Sequence, residues 1–151
     1  MENQGKVNYI CVRSKRNNPV EIKETVFAIK DQGLDGDYYN RPGNRQVTLI
    51  QQEHLDILAI KMKMDNIDPS MTRRNIVVKD IDLLTLEGKM FKIGEAILQY
   101  SGYCEPCKKM NKTVGNGGFE IMAIEKLGGI TTKVIKDGLI SIGNTIEILE
   151  S

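Results

Sequence analysis

Residues 89–102 read KMFKIGEAILQYSG. Apolar, aromatic and β-branched residues fill both arms, and Ile93-Gly94-Glu95 sits at the joint. The stretch therefore predicts two short strands meeting at a tight turn. The same texture recurs along the chain. KVNYICV (6–12) and RQVTLIQ (45–51) read as strands, and VEIKETVFAI (20–29) reads as one more that alternates in part. RRNIVVKDIDL (73–83) contains another. TTKVIKDGLISIGNTIEIL (131–149) reads as strand, Asp-Gly turn, short strand, Gly-Asn turn, strand. Only two segments read as helices. QQEHLDILAIKMKM (51–64) places Leu55, Leu58 and Met62 at helical spacing. GGFEIMAIEKLGG (117–129) is a short helix closed by glycines, which suit a left-handed cap. Many short strands with two helices predict a mainly β, barrel-like domain. The βαβ pattern of a doubly wound sheet is missing from this reading.

At 151 residues the chain is expected to form one domain, 1–151. A chain of this size folds without disulfides or a structural metal, because it buries roughly 68–70% of its unfolded surface. No apolar run approaches the ~18 residues of a membrane span, and MENQGKVNYI lacks the basic and apolar blocks of a signal peptide. The three cysteines are an odd set, so the expectation is a reduced, cytoplasmic protein with no membrane association. Net charge is +1, aromatics are 5% and tryptophan is absent, which argues against a nucleic-acid platform. Anion binding would have to come from a local cluster of Lys and Arg.

The chemistry concentrates in SGYCEPCKKM (101–110). Cys104 and Cys107 read four ways: a redox dithiol, half of a zinc site, a buried structural pair, or one reactive thiolate. A redox pair wants a βαβ context, and zinc wants further ligands where only Cys11 and His54 remain. Lys108 and Lys109 follow Cys107, and neighbouring cations favour the nucleophilic, metal-ligating thiolate. Pro106 fixes its own φ and can start a helical turn at Cys107. These features favour Cys107 over Cys104 as the active sulfur. In MTRRNIVV, strand geometry puts Arg73 and Asn75 on one face and Arg74 on the other. Arg and Asn together suit a phosphate or a heterocycle edge, against the plainer reading of a solvated strand end. DQGLDGDYYNRPGN (31–44) is a long polar loop whose Asp35 and Asp37 complete no calcium pattern. His54 reads as a surface or boundary residue. No nucleophile elbow, Walker loop or dinucleotide fingerprint is present.

Three blocks in order, GLDGDYYNRPGNRQVTLI, then RRNIVVKDIDLLTLEGKMFKIGEAILQYSGYCEPCKKM, then VIKDGLISIGNTIEI, resemble the MOSC family. That family takes its name from the C-terminal domain of molybdenum cofactor sulfurases. The resemblance runs from about Gly33 to Ile148 and implies a MOSC-type β-barrel-like domain. It implies that Cys107 carries sulfur, or ligates the molybdenum of a pterin-dithiolene cofactor. Relatives of the amidoxime-reducing proteins hold that cofactor with an Arg-x-Asn before a strand, which falls on Arg73 and Asn75. Arg45, Lys108 and Lys109 join Arg73 as cations that would offset the cofactor's phosphate. Many relatives carry a histidine after the Gly-Asp of the long loop, where this chain has tyrosines.

Three functions follow from the resemblance. The domain binds molybdenum cofactor, or carries a persulfide on Cys107, for cofactor sulfuration or transfer. Alternatively it is a molybdenum-dependent reductase of N-hydroxylated compounds, or a non-catalytic protein of the same fold. The partners implied are a pyridoxal-phosphate cysteine desulfurase, a molybdoenzyme, or an electron-donating flavoprotein or iron–sulfur protein. The sequence carries no pyridoxal-phosphate site of its own.

Overall fold

The hairpin read from residues 89–102 forms as expected in the computed structural model, which describes residues 5–149. β7 (Met90–Ile93) and β8 (Ala96–Tyr103) pair antiparallel, with Ile93 opposite Ala96. Gly94 has φ 61° at the first turn position, where a two-residue hairpin favours glycine. A side chain there would also strike the Leu139 carbonyl oxygen, 2.4 Å from the ideal Cβ.

From this hairpin a large sheet spreads both ways. Its remaining strands are β1 (Lys6–Val12), β2 (Glu21–Lys23), β5 (Val47–Gln51), β6 (Ile76–Lys79), β9 (Ile130–Lys136) and β11 (Ile146–Leu149). The order is β11-β7-β8-β9-β5-β6-β1-β2. A second, three-stranded sheet holds β10 (Gly138–Ser141), β3 (Thr25–Ile29) and β4 (Gly33–Leu34), in the order β10-β3-β4. The large sheet curls so far that Lys6 of β1 bridges Thr145 beside β11. That contact is a single bridge flanked by loop hydrogen bonds such as Val7 N to the Asn144 carbonyl at 2.9 Å. The domain is therefore barrel-like, and no ladder among the described residues closes a barrel.

Three expectations need correction. Residues 20–29 are not one strand: the chain breaks at Glu24, and β2 and β3 belong to different sheets. β2 is a partly exposed edge, whereas Val26 and Ala28 of β3 turn into the core. Secondly, one βαβ unit is present. β5, α1 (Gln52–Met62) and β6 form a crossover, and β5 and β6 pair in parallel. Parallel strands covered on both sides read as continuous apolar runs, which hides them from a search for alternation. Leu49, Ile76 and Val78 face the inner core around Phe91, while Ile50 and Val77 face a second core beneath the helices. Leu55 and Leu58 of α1 are buried in that second core, and Met62 packs at its margin. Thirdly, α3 (Gly118–Ile124) is not capped by its trailing glycines. The left-handed residue is Lys126, with φ 57°. Gly128 and Gly129 serve close packing instead. A Cβ on either would lie 2.1 Å from a carbonyl oxygen, that of Cys104 and of Leu49 respectively.

Candidate functional site

The breaks in these strands collect at one end of the large sheet. β1 stops at Val12, and residues 13–19 leave as a basic loop. The long loop after β4 returns to β5 through Arg45, which is exposed. β6 is preceded by a 3-10 turn, Pro69–Thr72, whose cap is Arg73 in the left-handed conformation at φ 61°. β8 runs out into residues 104–109, followed by α2 (Met110–Thr113). Cys107 opens this turn: its carbonyl accepts from Met110 N at 2.9 Å.

These segments enclose a cleft with two joined lobes. Arg13, Tyr38, Arg45 and Arg73 line both. One lobe continues to Cys11, Asp37, Thr48 and Asn75. The other continues to Arg16, Arg74, Lys109 and Cys107. Of the site residues expected from sequence, Arg73, Arg45, Asn75, Lys109 and Cys107 thus meet at one cleft. Lys108 is exposed and does not line either lobe. Arg73 and Asn75 arrive there for a different reason from strand alternation, since Arg73 precedes the strand in a left-handed turn.

Polar contacts fix the first lobe. Asn75 is buried, and its Oδ1 accepts from Thr48 N at 3.0 Å and from Thr48 Oγ1 at 3.2 Å. Its Nδ2 donates to the Cys11 carbonyl at 3.2 Å. One carboxamide therefore ties the ends of β1, β5 and β6. Asp37 accepts from Arg13 N at 2.9 Å, and the Arg13 guanidinium lies 5.6 Å from the centre of the Tyr38 ring. Burial pushes the Asp37 carboxyl up from its ordinary range, while the Arg13 amide and guanidinium pull it back. Cys11 is buried at the lobe's floor, and burial pushes its thiol up to about 11. It stays protonated at neutral pH and donates to the Arg74 carbonyl at 3.1 Å.

Cationic character dominates the shared wall. Arg73 Nη2 donates to the Arg16 carbonyl at 3.0 Å, and Arg13 Nη1 donates to the same oxygen. Two guanidiniums thus converge on one neutral acceptor. Burial and then the neighbouring Arg73 lower the preference of Arg13 for charge, which an anion between the two would restore. Among the described residues the ion pairs are Lys23–Glu21 and Lys61–Glu125, both away from the cleft. Also among the described residues, no three of His, Cys, Asp and Glu gather to hold a metal ion. The four-ligand zinc reading fails on that ground. His54 sits half-buried on α1, as a boundary residue, with its Nδ1 unpartnered. The three thiols are free, with Cys11 and Cys104 buried and Cys107 exposed.

The residues that sequence reading missed are Arg13, Arg16 and above all Arg74. Arg74 is 2% exposed. Its Nε donates to the Gly128 carbonyl at 2.7 Å and its Nη1 to Thr72 at 3.1 Å. Its Nη2 reaches the Cys104 and Glu105 carbonyls at 3.4 Å each. It sits beneath the cysteine loop and holds that loop to the glycine pair. The run of cations at 13–16 was a visible signal for the other two, but nothing local showed which way it would fold.

The domain is mainly β, with a cationic cleft that one exposed thiol lines. A family model for the MOSC domain matches residues 24–147, and the chain belongs to that family. The YuaD protein from Bacillus subtilis is similar in structure, with TM-score 0.82 and 19% identity over 96% of this chain and 95% of that one. YiiM from Geobacillus stearothermophilus is similar at TM-score 0.80 and 14% identity, covering 97% of this chain and 75% of that one. YiiM from Escherichia coli is similar at TM-score 0.75 and 20% identity, covering 97% and 70%. At such identities the likeness carries the fold alone. No curated protein matches the chain. Among the described residues, no helix is long and apolar enough to cross a membrane.

Proposed function

We propose that the cleft binds molybdenum cofactor, or carries a sulfur atom on Cys107, for delivery to a partner protein. The observation that carries this reading is the exposed Cys107 on a cleft it shares with Arg13, Arg16, Arg45, Arg73 and Lys109. The donor set fits the group. A thiolate is a soft donor of the kind molybdenum in a sulfur environment accepts, and the cleft is cationic where the cofactor is a phosphorylated anion. When bound, the cofactor supplies a redox-active metal centre. Arg73, Arg13 and Arg45 would hold its anionic end, Cys107 would present the sulfur ligand, and Tyr38 and Asp37 would keep Arg13 in place. Asn75 acts in this scheme through the strand ends it fixes.

Molybdenum and pterin content of the protein, purified from a cofactor-competent host, tests the reading. Cys107→Ser should lose most of the metal, because a serine hydroxyl is a hard donor that stays protonated near neutral pH. Arg73→Ala should lower affinity roughly ten- to a hundredfold, the loss of a charge-assisted contact of about 1.5–3 kcal/mol. Cys104→Ser and Cys11→Ser should keep the metal. A protein that holds neither molybdenum nor pterin, and binds none on addition, would leave only the carrier form. That form predicts a gain of one sulfur in mass on Cys107 after incubation with a cysteine desulfurase and cysteine. Absence of both results sinks the proposal.

A further inference from the structure

Arg74 carries a charge that the cleft's other cations do not explain. Of the cleft's other arginines, Arg16 and Arg45 are exposed and Arg13 and Arg73 are half-buried. Arg74 is 2% exposed, yet its side chain lines the lobe that Cys107 also lines. Its partners are four backbone carbonyls, those of Gly128, Thr72, Cys104 and Glu105. Carbonyl dipoles satisfy its N–H groups and carry no net charge. Among the described residues no carboxylate forms an ion pair with it. A guanidinium remains charged in proteins, so a positive charge stays buried there without a counter-ion. Buried charges are ordinarily paired. Burial is the largest influence against that charge; of its neighbours Cys104 favours it, Arg45 opposes it, and Cys107 and Tyr103 favour it.

We propose that Arg74 supplies a fixed, salt-resistant positive potential at Cys107 and so makes the cysteine lobe selective for anionic ligands. It is a specificity-determining residue that acts through the field at the sulfur, and the inference rests on Cys107 being the reacting sulfur of this site. Exposed cations are screened within a Debye length of about 3 Å at 1 M salt, whereas a buried one is screened far less. Salt therefore separates Arg74 from the exposed Arg45, Lys108 and Lys109, and the Arg74 variants separate it from the half-buried Arg13 and Arg73.

The probe is a pair of thiol reagents of similar size, iodoacetate (anionic) and iodoacetamide (neutral). Both alkylate the same thiolate with loss of iodide, so the ratio of their rates cancels exposure and ionisation of the sulfur and leaves the local potential. At low salt the ratio at Cys107 should exceed that of a free cysteine peptide. At 1 M KCl part of the excess should vanish and part should persist. The persistent part should fall several-fold in Arg74→Gln, as expected for removing a buried unit charge from the lobe that Cys107 lines. Arg74→Lys should restore most of it. A wild-type ratio that collapses to the peptide value at 1 M KCl overturns the proposal, and this arm needs no variant to fold. So does an excess that survives in Arg74→Gln, or one lost equally in Arg74→Lys, which would make loop position rather than charge the cause. If the ratio behaves as expected while the protein holds neither molybdenum nor transferable sulfur, the proposed function fails and the electrostatic role of Arg74 stands.

Discussion

Replacing Asn75 by alanine should destabilise the empty protein, before any ligand is considered. The side chain accepts from Thr48 N and Thr48 Oγ1 and donates to the Cys11 carbonyl. Thr48 Oγ1 keeps a second role, accepting from Asn75 N at 3.0 Å, so its loss is small. Thr48 N is left without its acceptor in a buried place. A buried donor without a partner costs about 1–3 kcal/mol, and a carbonyl with a free lone pair costs less. Together with the space left by the carboxamide, Asn75→Ala should lower stability by about 2–4 kcal/mol. For a chain of this length that is a fall in Tm of roughly 5–15 °C. Urea unfolding of the purified protein measures it, with an unchanged m-value showing that the unfolded state is not altered. Asn75→Asp should be at least as damaging, because it sets a buried carboxylate against the Cys11 carbonyl and beside Asp37. A loss below about 1 kcal/mol for Asn75→Ala would refute the framework role and return Asn75 to direct ligand contact.

The strands were legible because one-sided burial leaves alternation, as Val26 and Ala28 do in β3. The parallel pair was not, because Leu49 and Ile50 point to opposite cores and both are apolar. At the site, the cysteine pair and Arg73 stood out by residue type and spacing. Arg74 did not, because its environment is made of carbonyls from Gly128, Thr72, Cys104 and Glu105, mostly remote in sequence. Strand alternation put Arg73 and Asn75 together, as the first lobe has them, but for a different reason. The positive φ of Arg73 breaks the extended backbone just before Arg74 and turns its guanidinium under the cysteine loop. Lys108 and Lys109 look equivalent in sequence, but only Lys109 lines the cleft.

Gly129→Ala combines a φ of +86° with a Cβ 2.1 Å from the Leu49 carbonyl oxygen, so it should cost more than about 3 kcal/mol or prevent folding. Urea unfolding and soluble yield check it, and a near-neutral variant would show that the backbone there relaxes freely. Cys11 gives the chain a specific alkaline weakness. Its folded value of about 11 lies above its ordinary 9.0, so its contribution is whole below pH 9.0 and is lost as pH rises through about 11. The loss amounts to roughly 2–3 kcal/mol. Cys11→Val should remove that part of the pH dependence, and parallel stability curves for the two proteins across the range would refute it. Arg73 poses the opposite trade. A non-glycine residue in the left-handed region costs about 1–2 kcal/mol, part of which glycine regains by leaving it, less about 0.5–1 kcal/mol for its freer unfolded chain. Removing the guanidinium also relieves its repulsion with Arg13. The lost bond to the Arg16 carbonyl is exposed and offsets little. Arg73→Gly should therefore match or exceed wild type in stability by up to about 1 kcal/mol, while the iodoacetate preference at Cys107 falls at low salt. Strain and like-charge crowding retained together mark a residue kept for binding rather than for folding. A glycine variant less stable than wild type by more than about 1 kcal/mol, with its anion preference intact, would make Arg73 a structural cap and nothing more.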